Sequence, residues 1–162
     1  MIRTPNFLYR NEGKGKFTEI GTWSGAGLNS QGIAQAGMGI DAADIDGDGL
    51  QDIALSTFIR DSSSLYRNLG NLQFEDISTR LGLKKITYEV LKWGCAFFDY
   101  DLDGDVDLVI VNGHIYPQVD QTPELGESYR QLPILLRNDG GKLTDVSRSA
   151  GPGFQPRSRR AG

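Results

Sequence analysis

The sequence of 162 residues carries one cysteine, Cys95, and one histidine, His114. A lone cysteine excludes an intrachain disulfide framework. It sits in Trp93-Gly94-Cys95-Ala96-Phe97-Phe98, an apolar stretch that reads as a strand with the thiol as a small buried hydrophobe. Long apolar runs are missing as well. None nears the roughly 18 residues that cross a bilayer. The opening Met1-Ile2-Arg3-Thr4-Pro5 lacks the apolar segment of a secretion signal, so an export signal would lie outside this stretch. Basic runs end at the pairs Lys84-Lys85 and Arg159-Arg160, a poor basis for nucleic-acid binding. Helical periodicity is absent over any useful length.

Glycine is plentiful instead, at 21 residues beside 38% hydrophobic residues. That mixture favours many short strands joined by tight turns within one domain. The net charge of −4 hides an asymmetry: nine of the 21 acidic residues are Asp44, Asp46, Asp48, Asp52, Asp99, Asp101, Asp103, Asp105 and Asp107. The other 12 stand against 17 basic residues, so the acidity is confined to two points. Like charges packed that closely repel unless a cation joins them.

The chain repeats itself, and repeats decide architecture. Leu8-Tyr9-Arg10-Asn11-Glu12-Gly13 returns as Leu65-Tyr66-Arg67-Asn68-Leu69-Gly70 and again as Leu135-Leu136-Arg137-Asn138-Asp139-Gly140. Each copy runs on to an acidic and an apolar residue: Glu19-Ile20, Asp76-Ile77 and Asp145-Val146. Between them, Gly39-Ile40-Asp41-Ala42-Ala43-Asp44-Ile45-Asp46-Gly47-Asp48-Gly49 matches Gly94-Cys95-Ala96-Phe97-Phe98-Asp99-Tyr100-Asp101-Leu102-Asp103-Gly104. The order hairpin, loop, hairpin, loop, hairpin gives units near 6–62 and 63–132 and an incomplete one at 133–162.

Strands are expected near 6–10, 16–20, 37–43, 51–57, 64–68, 72–77, 92–98, 106–112, 133–138 and 142–146, with one helical turn at 79–83. The Arg-Asn-x-Gly steps suit hairpin turns, because asparagine and glycine accept positive φ. Four strands per unit fit a propeller blade better than a sandwich. The predicted fold is all-β: a β-propeller fragment of about two and a half four-stranded blades. Residues 113–132, with Pro117, Pro123 and Gly126, read as a loop that is either a binding surface or an exposed insertion.

The acidic loops have the form Asp-x-Asp-x-Asp-Gly-x-x-Asp. Asp44, Asp46 and Asp48 fill positions one, three and five, as do Asp99, Asp101 and Asp103. Gly49 and Gly104 allow a sharp turn at position six, Leu50 and Asp105 offer backbone oxygens at seven, and Asp52 and Asp107 close the set at nine. Oxygen ligands at that spacing suit Ca²⁺, giving two sites. Magnesium prefers fewer protein ligands in strict octahedral geometry. Zinc is disfavoured without cysteine or histidine in the loops. Position twelve, where an EF-hand has glutamate, holds Leu55 and Ile110 in strand-like runs. The shells are nearly closed by protein oxygens, which points to structural and not catalytic ions.

Phe98-Asp99-Tyr100-Asp101-Leu102-Asp103-Gly104-Asp105-Val106-Asp107-Leu108 and its partner at 43–53 resemble the FG-GAP/VCBS repeat family, whose units build the propeller of integrin α-subunit heads. The Leu-Tyr-Arg-Asn-x-Gly hairpins, Val111-Asn112-Gly113-His114-Ile115-Tyr116-Pro117, and Asp145-Val146-Ser147 leading to Gly151-Pro152-Gly153-Phe154 are similar to ASPIC/UnbV-type proteins related to cartilage acidic protein. The resemblance implies an exported propeller of about seven blades that binds Ca²⁺ through the two loops. Its expected partners are an unidentified protein or glycan and the remaining blades of a longer protein, with no membrane span. It also implies an extracellular, cell-surface or periplasmic setting and no catalysis of its own. The alternative is a piece of a propeller-scaffold enzyme whose active site lies outside the stretch. His114 reads as a turn residue without a catalytic partner, and Trp93 as core.

Overall fold

Residues 3–155 are described by the computed structural model. Ten strands form, each overlapping one of the ten expected runs, and every pairing is antiparallel. Strands β1 (Tyr9–Gly13) and β2 (Lys16–Glu19) make a two-stranded hairpin. Strands β3 (Gly37–Ala43), β4 (Asp52–Thr57), β5 (Ser64–Asn68) and β6 (Phe74–Asp76) form a meander in chain order. Strands β7 (Lys92–Phe98), β8 (Asp107–Asn112), β9 (Ile134–Asn138) and β10 (Leu143–Asp145) repeat it. The chain is therefore all-β, with only short helical turns.

Each sheet joins an acidic-loop hairpin to the Arg-Asn hairpin that follows it. The sequence units at 6–62, 63–132 and 133–162 have the same period but a different phase: the hairpin opening each later unit closes the preceding sheet. The half-sheet is consequently β1–β2, while β9–β10 complete the second sheet, and residues 156–162 lie outside the described residues. A repeating pattern fixes the period; only hydrogen bonding fixes where a sheet begins.

Strand alternation gives each sheet two apolar faces. Ala54 and Leu65 point one way, and with Ile45, Ile77 and Leu83 they meet Leu108, Ile110 and Leu136 of the second sheet. Leu55 and Tyr66 point the other way, onto Ala26 with Leu8, Ile53 and Phe74 around them. Burial of a side chain such as Leu65 or Leu136, both 0% exposed, contributes about 1.5–3 kcal/mol. The sheets approach closely at Gly39 of β3, where an added Cβ would stand 2.6 Å from Gly94 Cα of β7. Both strands carry an irregularity just before these glycines, between Gly37 and Gly39 and between Lys92 and Gly94. Trp93, expected in the core, is turned outward at 46% exposure, its indole N–H donating to Gly113 O at 2.7 Å.

The helical turn expected at 79–83 forms later, as α2 (Leu83–Thr87), after an unforeseen α1 (Gly21–Ser24). Gly82, at φ +69, breaks the backbone before α2, so residues 79–82 close a turn. Lys92 reaches from β7 to the first sheet and is completely buried. Its Nζ donates to the carbonyls of Phe58 (3.1 Å), Asp61 (2.6 Å) and Thr87 (2.7 Å). Burial outweighs the favourable field of Asp61 and pushes the ammonium pKa down to about 8.

Two outcomes follow from this packing. Gly39→Ala is expected to cost about 1–3 kcal/mol in urea unfolding, because the sheets must separate to admit the methyl group. Folded Lys92 loses its proton near pH 8 while the unfolded residue keeps it to about 10.5, so the unfolded state binds more protons between them. Stability should rise across that window, and Lys92→Met should remove this rise in a pH series of melts.

Candidate metal centre

The two acidic loops join the first two strands of each four-stranded sheet, β3 to β4 and β7 to β8. Their first aspartate turns the chain. Asp44 accepts from the N–H groups of Asp48 (3.0 Å) and Gly49 (2.8 Å); Asp99 does the same for Asp103 (3.2 Å) and Gly104 (3.0 Å). Gly49 and Gly104 take φ +85 and +97, a region open to glycine at little cost. At position seven, the N–H groups of Leu50 and Asp105 donate to Asp48 and Asp103, each at 2.9 Å. The loops differ at position four: Gly47 has φ +74, and fully exposed Leu102 adopts φ +62 in its place.

In the first loop Asp44, Asp46 and Asp48 bring one carboxylate oxygen each within 4.8 Å of one another. In the second, Asp99, Asp101 and Asp107 do so. Both groups could hold a metal ion. Asp46 Oδ1 is buried without a hydrogen-bond partner, as an oxygen reserved for a cation would be. Asp101 is held above the ordinary carboxylate range, first by desolvation and then by repulsion from Asp103 and Asp107, against the pull of Arg137.

Asp52 and Asp107 do more than offer oxygens. Both are fully buried. Asp52 accepts Ile45 N–H at 3.0 Å and Asn68 N–H at 2.7 Å; Asp107 accepts Tyr100 N–H and Asn138 N–H, both at 2.8 Å. Each carboxylate thus clasps its acidic loop to the first strand of the next hairpin. Burial raises the Asp52 pKa, opposed by those two N–H bonds and aided by Asp46 and Asp48. Sequence spacing could not show this clasp, because Asn68 and Asn138 lie 16 and 31 residues away.

Arginine distinguishes the loops, which the sequence reading also missed. Arg67 Nε lies 2.6 Å from Asp46 Oδ2 and its Nη2 is 3.4 Å from Asp48. The equivalent Arg137 turns to Asp139 at 2.9 Å. Asp105 Oδ2 receives Gly140 N–H at 2.9 Å, tying the second loop to the β9–β10 turn.

His114 does have a carboxylate partner: its Nε2 lies 3.1 Å from Glu127, which also pairs with Arg60 at 3.1 Å. Its Nδ1 accepts Tyr116 N–H at 3.1 Å. Both ring nitrogens are occupied in holding residues 113–132, which fold as two 3₁₀ turns, Pro117–Gln121 and Pro123–Leu125, over buried Val119. Cys95 lies between the sheets, and burial raises its thiol pKa.

Stacked four-stranded antiparallel sheets with an acidic loop between the first two strands of each define a repeat module. The FG-GAP-like repeat matches residues 3–55 and again 44–110, and each match contains an acidic-loop aspartate run. The chain belongs to the FG-GAP-like repeat family. No curated protein matches it. Among the described residues, no helix is long and apolar enough to cross a membrane.

Asp107 belongs both to the clasp and to the second carboxylate group, so its clasp is tested in EDTA, with no ion bound. Asp107→Ala should cost about 2–4 kcal/mol in EDTA, since it strands one buried and one half-buried N–H group. Asp103→Ala in EDTA should cost less than about 1 kcal/mol, its carboxylate accepting only one exposed local bond. Urea melts of both variants check the contrast.

Proposed function

We propose that this chain is a calcium-binding β-propeller module, with structural Ca²⁺ in the loops at 44–52 and 99–107, supporting binding to a protein or glycan. The convergence of three carboxylates in each loop carries this reading. Unpartnered Asp46 Oδ1 supports it, as does the raised pKa of Asp101, from desolvation first and then repulsion by Asp103 and Asp107. The donors are carboxylate and carbonyl oxygens, hard ligands that suit Ca²⁺. Bound calcium would neutralise the cage and screen its aspartates from one another. Asp44 and Asp99 would also keep the loop turned through their N–H contacts. The second loop is the stronger site, because Arg137 is drawn off to Asp139 while Arg67 already lies on Asp46 and Asp48.

The proposal extends to an exported protein in an extracellular, cell-surface or periplasmic setting, with further blades of the same kind and no catalysis of its own, a reading supported by the ASPIC/UnbV-like sequence features. Modules of this type bind calcium at about 10⁻⁴–10⁻³ M, matched to extracellular and not cytosolic concentrations. The occupied nitrogens of His114 agree with a non-catalytic role.

Calorimetry in millimolar calcium and in EDTA tests the proposal. At ten times Kd each site adds about 1.4 kcal/mol, or roughly 3–6 °C in melting temperature. The double variant Asp46→Ala/Asp101→Ala, which removes carboxylates that accept no backbone hydrogen bond, should keep its β-sheet circular dichroism and lose the shift. An unchanged melting temperature in ample calcium would refute the assignment.

A further inference from the structure

The β1–β2 hairpin is the third copy of an element whose other two copies are embedded in sheets. The match is local as well as sequential: N–H groups of Ile20, Ile77 and Val146 donate to the carbonyls of Leu8, Leu65 and Leu135 at 2.7, 2.9 and 3.0 Å. On their other side β5 and β9 are paired by β4 and β8. Among the described residues β1 has no such neighbour. Asn68 and Asn138 give their N–H groups to Asp52 and Asp107, and Asn11 stands at the same place in β1. Arg10 pairs with Glu12 at 2.6 Å, as its counterpart Arg137 pairs with Asp139 in the complete second sheet.

Beside the free edge runs a groove of about 380 Å³ lined by Phe7, Leu8, Met38, Ile40, Ile53 and Leu55. Ile40 is 68% exposed, whereas its repeat counterpart Cys95 is tucked between the sheets, with Sγ 3.6 Å from the carbonyls of Gly39 and Ala54. Ile53 and Leu55 correspond to Leu108 and Ile110, which share a cluster with Ile45 and Ala54 of the preceding acidic hairpin. The groove is thus the space that an Ile45 and an Ala54 fill one repeat further on.

We propose that β1 and this groove are a strand-acceptor site for a β-hairpin bearing an Asp-x-Asp-x-Asp-Gly-x-x-Asp loop, supplied by another repeat of this kind. Its second strand pairs antiparallel with Phe7, Leu8 and Tyr9, the counterparts of Ser64, Leu65 and Tyr66. Its ninth-position aspartate accepts Asn11 N–H. Main-chain hydrogen bonds supply affinity and alternate side chains supply specificity, as in other strand additions. The acceptor geometry rests on the repeat register and does not depend on the loops holding an ion.

The test uses a synthetic peptide of residues 37–57, added to the ¹⁵N-labelled chain in calcium and in EDTA, with amide exchange as the readout. Phe7, Tyr9 and Asn11 amides should exchange at least about tenfold more slowly in either condition. An Asp52→Ala peptide should bind about tenfold more weakly, for loss of a carboxylate acceptor to a backbone N–H. An Ile53→Pro peptide, lacking an N–H that faces the edge, should give no protection. Absent protection in millimolar peptide would overturn the proposal. So would equal binding of the proline peptide, or self-association that protects the same amides without peptide. Failure of the calcium reading would show separately, as a missing calcium shift in melting.

Discussion

At the base of each acidic loop a buried carboxylate accepts one N–H from its own loop and one from the hairpin that follows. Asp52 and Asp107 each satisfy two donors that would otherwise be stranded beneath the sheet. A buried backbone donor left without a partner costs about 1–3 kcal/mol, so this arrangement constrains where the next hairpin can lie. The sheet order follows from it: the strand bearing the aspartate must sit beside the strand bearing the asparagine. The four-stranded unit is therefore assembled across the boundaries of the sequence repeat.

The loops also concentrate charge. Three carboxylates crowd together in each loop, those at positions one, three and five in the first and at one, three and nine in the second, where like charges repel. The protein answers this repulsion differently in its two loops. Arg67 leans onto Asp46 and Asp48, while Arg137 is held by Asp139. A guanidinium and a metal ion compete for the same oxygens, so the two acidic loops are inequivalent. The residue that holds Arg137 away is Asp139, where its counterpart at 69 is leucine.

The strands were legible because β-branched and aromatic runs are bounded by glycine, asparagine and aspartate in an order that recurs along the chain. The acidic loops were legible for the same reason: spacing within nine residues is local information. What the sequence concealed was long-range. The clasp from Asp107 to Asn138 spans 31 residues, and the contact of His114 with Glu127 depends on how residues 113–132 double back. Trp93 reads as core because its neighbours are apolar, yet the irregularity before Gly94 turns it outward. The phase of the repeat was hidden too, since a periodic pattern looks the same wherever it is cut.

The loops and the contact between sheets are not independent. Asn138, whose backbone is clasped by Asp107 of the second loop, donates from its side chain to Ile45 O of the first loop at 2.7 Å. Ile45 in turn belongs to the cluster that joins the two sheets, and its N–H is held by Asp52. A continuous chain of contacts therefore runs from one acidic turn, through the core between the sheets, to the other. Stacked repeats draw their stability from each unit and from each neighbouring interface. Here both terms pass through the same few residues at the loop bases, so anything that orders an acidic turn also firms the seam between sheets.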